Sequence, residues 1–155
     1  MTQFNPVLDL ELVRHIKASP ETIYRCWTEP SLLEQWFCPK PWCVTDADID
    51  PRPGGRFNFI MRGPEGEEVP YRTCFLEVIP NQKLVSTDAL SEGYRPNDKV
   101  FLTSSITLTP QDGGTLYRAI AMHNTVEAKD QHEKMGFHDG WGAAATQLED
   151  LAKSL

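Results

Sequence analysis

The sequence predicts an α+β fold in which a curved antiparallel sheet wraps around a long C-terminal helix. Short runs of alternating apolar residues, separated by turn residues, occupy the middle of the chain, and an apolar seam at helical spacing occupies its C-terminal end. A sheet with one apolar face must be covered, and only this last helix is long enough to do so. At 155 residues, one domain spanning residues 1–155 is expected.

The first predicted elements are a strand and two short helices. Residues 7–17 alternate around apolar positions and predict a strand. Ser19 has the character of a helix N-cap, and Pro20 follows at the first helical position, where its missing N–H costs nothing. Pro30 ends this helix, and Ser31 begins a second short one.

Six further strands are predicted in a meander of antiparallel neighbours. Gly54 and Gly55 form a turn between two of them rather than a phosphate-binding loop, because no helix follows. The predicted strands are residues 44–50, 56–62, 71–79, 83–89, 99–109 and 115–124.

The remainder of the chain, about residues 127–155, is predicted to be one long helix. Its apolar seam recurs at steps of four and three residues. Gly136, Gly140 and Gly142 each weaken a helix by roughly 1 kcal/mol relative to Ala, so they indicate a bend or close packing against the sheet. The seam consists of Phe137, Trp141, Ala144, Leu148, Leu151 and Leu155.

Composition excludes several classes of partner. The net charge of −7 and the pI near 5.0 argue against nucleic acid and anionic membranes, which require a basic surface. No apolar stretch approaches the 18 or so residues of a membrane span, and the start of the sequence lacks the features of a secretory signal. The four cysteines show no metal-binding spacing, and we expect reduced thiols in a cytoplasmic protein.

Three stretches of sequence carry a family resemblance: RHIKASPETIYRCWTEPSLLEQWF; then DPRPGGRFNFIMRGPEG followed by FLEVIPNQKLVST; and finally GWGAAATQLEDLAKSL. Together they resemble the START-like superfamily, and within it the family of homologues of the activator of heat-shock protein 90 ATPase. The resemblance covers nearly the whole chain and implies the helix-grip fold with an internal apolar cavity. It does not imply one function, because related domains bind lipids, serve as co-chaperones or catalyse cyclisations.

We expect a small apolar or amphipathic molecule to bind in this cavity. His138 adjoins the helix seam and either orients the ligand through one polar contact or is a partly buried histidine satisfied by the protein itself. The candidate lining residues are Trp36, Phe57, Phe59, Met61, Tyr71, Phe75, Met135, His138 and Trp141.

No catalytic residue is assigned, because no Ser-His-Asp, Cys-His or HExxH arrangement is present. An enzyme of the aromatase or cyclase type is an alternative that would need His138, Tyr71 or Glu77 as acid–base groups. Glu77 faces the cavity if it points the same way as Tyr71 and Phe75, and it is a solvated charge if the Leu76 phase points inward. No cofactor and no metal are expected.

Two kinds of protein partner are considered. A co-chaperone role is suggested by the family, but the eukaryotic activator has an additional N-terminal domain for which this sequence has no room, so we rank a chaperone partner lower. A homodimer is expected because Val100, Leu102, Ile106 and Leu108 are predicted to face the helix, which leaves Phe101 on the outer face.

Ligand entry requires a mobile segment, and the longest polar connection, residues 90–98, is the candidate. Tyr94 within it is predicted to be the gate, because an aromatic ring with a hydroxyl can cover apolar contents while remaining hydrated. An ordinary surface loop is the alternative.

Overall fold

A computed structural model of the chain describes residues 3–155. The strands are β1 (Asp9–Ile16), β2 (Cys43–Ile49), β3 (Arg56–Arg62), β4 (Glu68–Ile79), β5 (Lys83–Thr87), β6 (Leu90–Ser91), β7 (Arg95–Pro96), β8 (Thr103–Gln111) and β9 (Gly114–Met122). The helices are α1 (Pro20–Thr28), α2 (Pro30–Leu33), α3 (Val126–Lys134) and α4 (Phe137–Ser154), and a 3₁₀ turn spans Glu92–Tyr94. Within the described residues, no helix combines the length and apolar character needed to cross a bilayer.

Seven strands form one antiparallel sheet in the order β1-β9-β8-β5-β4-β3-β2. The predicted α+β helix-grip architecture is confirmed, with α4 lying across the sheet. The two short strands β6 and β7 pair with each other as a separate ribbon. The helix start at Ser19 is also as predicted, since its hydroxyl accepts a hydrogen bond from the Thr22 N–H at 3.2 Å.

Strand β4 begins three residues earlier than predicted. Pro70 was expected to delay the start to Tyr71, yet it lies within the strand opposite Ile60 of β3. This part of β4 pairs only with β3, since pairing with β5 begins at Cys74. A proline is tolerated on such an unpaired edge, where no neighbouring strand needs its missing N–H.

The prediction of one continuous C-terminal helix is wrong. The chain breaks at Gly136, which adopts φ +98° and separates α3 from α4. This left-handed conformation is open to glycine and strained for residues with a Cβ. The break changes the direction and the phase of the helix, so α3 and α4 present different faces to the sheet.

A β-bulge in β4 resolves the question of its side-chain phase. The register with β5 shifts between Phe75 and Glu77, so Leu76 is the extra residue. Phe75 is therefore buried, whereas Glu77 is exposed and pairs with Lys83 at 2.8 Å. That hydrogen bond lowers the pKa of Glu77. The side chains of β4 therefore do not alternate regularly along the whole strand. Glu77 is a charged group exposed to solvent.

The segment before β8 differs from its prediction in a way that affects the cavity. Ile106 and Leu108 face the core as expected, but β8 begins only at Thr103. Phe101 precedes it and packs inward against His132, with ring centroids 4.7 Å apart, rather than lying on the outer face. The homodimer thus loses the observation that suggested it and stays a prediction.

We predict opposite effects for two glycine substitutions on either side of the α4 N-terminus. Gly136→Ala should lower the free energy of unfolding by about 1–2 kcal/mol, because its cost comes from the positive φ and no atom lies within 4 Å of the added Cβ. Gly140→Ala should raise that free energy by up to about 1 kcal/mol, because it lies inside α4 and its Cβ would meet Pro39 at an ordinary 3.8 Å. Urea denaturation of both variants measures this, and equal destabilisation would contradict the helix break.

Candidate functional site

A cavity of about 380 Å³ lies between the sheet and α4. Its sheet side is formed by side chains that alternate along β3, where Phe57, Phe59 and Met61 point inward. Its remaining aromatic wall comes from α1, the segment after α2, β4, the segment before β8, β9 and α4. The rings of this wall are Trp27, Trp36, Phe37, Tyr71, Phe101, Tyr117, Phe137 and Trp141.

The sheet-side rings support one another. Phe57 stacks on Phe75 with centroids 5.1 Å apart, and Phe59 stacks on Tyr71 at 5.0 Å. Phe37 meets both Phe57 and Phe59 edge-on, at 5.8 and 5.0 Å. Such aromatic pairs attract one another more strongly than burial alone would predict. The stacked and edge-on neighbours of Phe57 and Phe59 therefore fix the positions of these two rings.

The helix side of the cavity combines small residues with two aromatic rings. Gly140, Ala144 and Ala145 of α4 line it together with Phe137 and Trp141, and Gly136 lines it at the helix break. Met135 also lines the cavity although 68% of its surface is exposed, which marks the opening of the cavity beside this break.

One histidine lies at the cavity wall and is hydrogen-bonded to a second. Nδ1 of His132 is 2.9 Å from Nε2 of His123, and Nδ1 of His123 is 2.9 Å from the carbonyl oxygen of Leu8. Both rings are buried. Burial, followed by the neighbouring His123, lowers the pKa of His132 to about 4, so His132 is neutral at pH 7. Within residues 3–155, no cluster of three metal-ligating side chains includes this pair.

Asp88 is the only acidic residue that lines the cavity in residues 3–155. Its Oδ1 accepts backbone N–H groups from Phe101 at 2.9 Å and Leu102 at 3.3 Å. Burial raises the pKa of this carboxyl, while those N–H donors act in the opposite direction. Ser86 and Ser104 also line this side and hydrogen-bond each other at 3.1 Å.

A second polar feature lies among the rings. Among residues 3–155, the buried indole N–H of Trp27 finds no hydrogen-bond partner. Burial raises the pKa of Tyr117, and the Trp27 N–H acts to lower it, but the two groups do not reach hydrogen-bonding geometry. Tyr117 therefore keeps its hydroxyl proton, and both side chains line the cavity.

The structure brings seven of the ten predicted site residues to the cavity. Phe75 lies one layer behind it, because it is buried beneath Phe57. His138 lies outside it, with 56% of its side chain exposed and Nε2 3.2 Å from Glu133. The residues that line the cavity are Trp36, Phe57, Phe59, Met61, Tyr71, Met135 and Trp141.

Tyr94, the predicted gate, also lies outside the cavity lining. Its ring packs on Gly54, where an added Cβ would come within 2.8 Å of it. The Gly93 N–H donates to the Gly54 carbonyl at 2.9 Å, and Glu92 pairs with Arg56 at 3.1 Å. These contacts attach the β6–β7 ribbon to the turn between β2 and β3. Tyr94 therefore has a structural role.

Helical periodicity in the sequence does not identify His132 as a cavity residue, because a continuous helix would not point its side chain towards the seam. A single helix would extend the seam from Phe137 back to Glu133 and Lys134, and both of these are exposed. The break at Gly136 changes the phase, so that His132 faces inward instead. The three glycines near residue 136 were the signal in the sequence, since they indicated a bend.

These features define a helix-grip domain with an internal, mostly apolar cavity that is rich in aromatic rings. The family model described as activator of Hsp90 ATPase homolog 1-like protein matches residues 17–153, and the chain belongs to this family. The sequence matches no curated protein.

Several solved structures are similar to this chain. Protein NE0264 from Nitrosomonas europaea is 46% identical, with 97% of each chain covered and a TM-score of 0.95. Protein Ms6760 from Mycobacterium smegmatis is 29% identical, with 94% of this chain and 90% of that chain covered and a TM-score of 0.77. The AHSA1-like protein from Aeromonas hydrophila shares the fold, at 17% identity, a TM-score of 0.73 and 95% and 93% coverage.

We predict that the buried His132 makes the fold sensitive to acid. Its pKa in the folded state, about 4, is below the ordinary 6.5, so the unfolded chain binds more protons between these values. Stability should therefore fall as the pH is lowered from 6.5 to 4, by about 2 kcal/mol from this group. Urea denaturation across this range should show the loss in the wild type and a smaller loss in His132→Phe.

His15→Phe is the matched control for that measurement, because His15 is an exposed residue of β1 that does not line the cavity. It should keep the acid sensitivity of the wild type. An acid sensitivity that is unchanged in His132→Phe would contradict the assignment.

Proposed function

We propose that the protein binds one small apolar or amphipathic molecule in the cavity between the sheet and α4. The observation that carries this proposal is the cavity itself, because its volume of about 380 Å³ is bounded mainly by apolar groups, including ten aromatic side chains. Ligand sites typically have volumes of roughly 300–1,000 Å³, apolar walls and a few polar groups. Atoms lining an empty void lack contact partners on one side, and a ligand supplies those contacts.

The ligand enters beside Met135 and Gly136 in this proposal. Met135 is both a lining residue and largely exposed, and Gly136 joins two helices without a side chain that would close the gap. A methionine suits an entrance of this kind, because its flexible apolar side chain adapts to ligands of different shape.

Ligand binding is favoured over acid–base catalysis by the positions of the three groups that catalysis was expected to use. Glu77 is exposed and His138 lies outside the cavity lining. Tyr71 lines the cavity, but burial raises the pKa of its phenol, which disfavours a role as a general base near neutral pH.

Two neighbouring alanines of α4 provide a sharp test of the proposal. Ala144 lines the cavity, whereas Ala143 is exposed to solvent. Ala144→Phe should place a ring in the ligand volume and weaken binding of 2-methoxynaphthalene, a neutral probe without a hydrogen-bond donor, by at least about tenfold, which corresponds to about 1.4 kcal/mol. Ala143→Phe adds the same ring on the other face of the helix and should leave the affinity unchanged.

Isothermal titration calorimetry measures the three dissociation constants, and thermal stabilisation by the saturating probe provides a second readout. If the wild type and Ala144→Phe bind the probe equally well, the cavity is not the binding site that we propose.

A further inference from the structure

The hydrogen bonds of the two buried histidines have a fixed direction. The Leu8 carbonyl oxygen can only accept, so the His123 Nδ1 that lies 2.9 Å from it carries a proton. In a neutral His123 ring, Nε2 is then unprotonated and accepts a hydrogen bond. Its partner at 2.9 Å, Nδ1 of His132, must be the donor.

This direction determines which nitrogen of His132 is free. A neutral His132 that carries its proton on Nδ1 has an unprotonated Nε2. Two neutral rings have one N–H each, and the chain from His132 through His123 to Leu8 uses both of them. A second proton would place a charge in this buried pair without a carboxylate hydrogen bond to balance it.

The free nitrogen belongs to a ring that lines the cavity. Nε2 of His132 has no hydrogen-bond partner among residues 3–155, and it is not among the polar atoms sealed inside the protein. The ring lies against Phe101, Phe137 and Trp141, with centroids 4.7, 5.2 and 6.0 Å away. This ring at the cavity wall therefore carries an unpartnered acceptor with accessible surface.

We propose that Nε2 of His132 accepts a hydrogen bond from the ligand, so that the cavity selects an uncharged, largely apolar molecule carrying a hydroxyl or N–H donor. This inference rests on the proposed ligand binding and specifies the class of ligand. His123 is a positioning residue, because its Nε2 accepts the hydrogen bond that keeps the proton of His132 on Nδ1.

The charges around the cavity exclude the most familiar apolar ligands, the fatty acids. Within residues 3–155, no Lys or Arg side chain lines the cavity. A carboxylate offers acceptors only, and it would face the lone pair of His132 and the carboxyl of Asp88. A buried charge without a partner is costly, so an alcohol, phenol or amine N–H is preferred over an acid of the same shape.

The test compares three naphthalenes of similar shape on the wild type and on His132→Phe at pH 7. The probes are 2-naphthol, which has a donor; 2-methoxynaphthalene, which has none; and 2-naphthoate, which is charged. The ratio of the 2-methoxynaphthalene to the 2-naphthol dissociation constant should be about tenfold larger for the wild type than for His132→Phe, as one buried hydrogen bond predicts. Comparing ratios cancels the difference in hydrophobicity between the probes.

A spectroscopic measurement on the wild type does not depend on how the variant folds. In ¹⁵N-histidine NMR, Nε2 of His132 should give the signal of an unprotonated nitrogen and should shift on adding 2-naphthol but not on adding 2-methoxynaphthalene. In His123→Phe, Nδ1 of His132 has no hydrogen-bond acceptor, so the proton is no longer fixed on that nitrogen. This variant should therefore show a smaller preference for 2-naphthol over 2-methoxynaphthalene.

The outcomes separate the two proposals. If 2-methoxynaphthalene binds but the ratio is the same in both proteins, if Nε2 is protonated, or if 2-naphthoate binds the wild type more tightly than 2-naphthol, the ligand class is wrong and the cavity proposal stands. If none of the three probes binds, the cavity proposal fails and this inference fails with it.

Discussion

The cavity depends on a difference in size between the two surfaces that enclose it. The sheet presents the large rings of Phe57 and Phe59, while α4 presents the small residues Gly140, Ala144 and Ala145 alongside the rings of Phe137 and Trp141. Protein interiors are normally packed as densely as organic crystals, so a volume of about 380 Å³ must be held open against collapse. The rings cannot move into the space without losing the stacked and edge-on contacts that fix them.

Hydrogen bonds hold the helix at its distance from this wall. Nε2 of Gln147 donates to the carbonyl oxygens of Trp36 and Cys38, at 2.9 and 2.7 Å, and ties α4 to the segment after α2. The indole N–H of Trp36 in turn donates to the Cys26 carbonyl in α1, at 2.9 Å. The helix, the short helices and the rings are therefore parts of one hydrogen-bonded framework around the cavity.

The helix break adds a histidine to the polar groups of this mainly apolar cavity. With Gly136 in a left-handed conformation, α3 carries His132 to the wall, where His123 and the Leu8 carbonyl determine which of its nitrogens is free. A backbone feature of one glycine thus places a single hydrogen-bond acceptor among aromatic rings. Affinity is then attributed to the rings and selectivity to the histidine, a division of roles that is common in ligand sites.

Most of the fold follows from local patterns in the sequence, since alternation along β3 identified Phe57, Phe59 and Met61 as inward-facing. Features that depend on backbone irregularities did not follow. The bulge at Leu76 reverses the phase of Glu77, and the break at Gly136 replaces His138 by His132 at the cavity. One residue changes the phase in each case, and periodicity cannot reveal such a change because it assumes a regular element.

The central claim, that this cavity holds a ligand, is tested most directly by NMR of ¹³C-labelled methionine methyl groups. Met61 and Met135 line the cavity, whereas Met122 of β9 does not, so the chain contains its own control. Titration with 2-naphthol should shift the Met61 and Met135 signals to saturation at one equivalent and leave the Met122 signal in place. Unchanged Met61 and Met135 signals, or equal shifts at all three, would contradict the account.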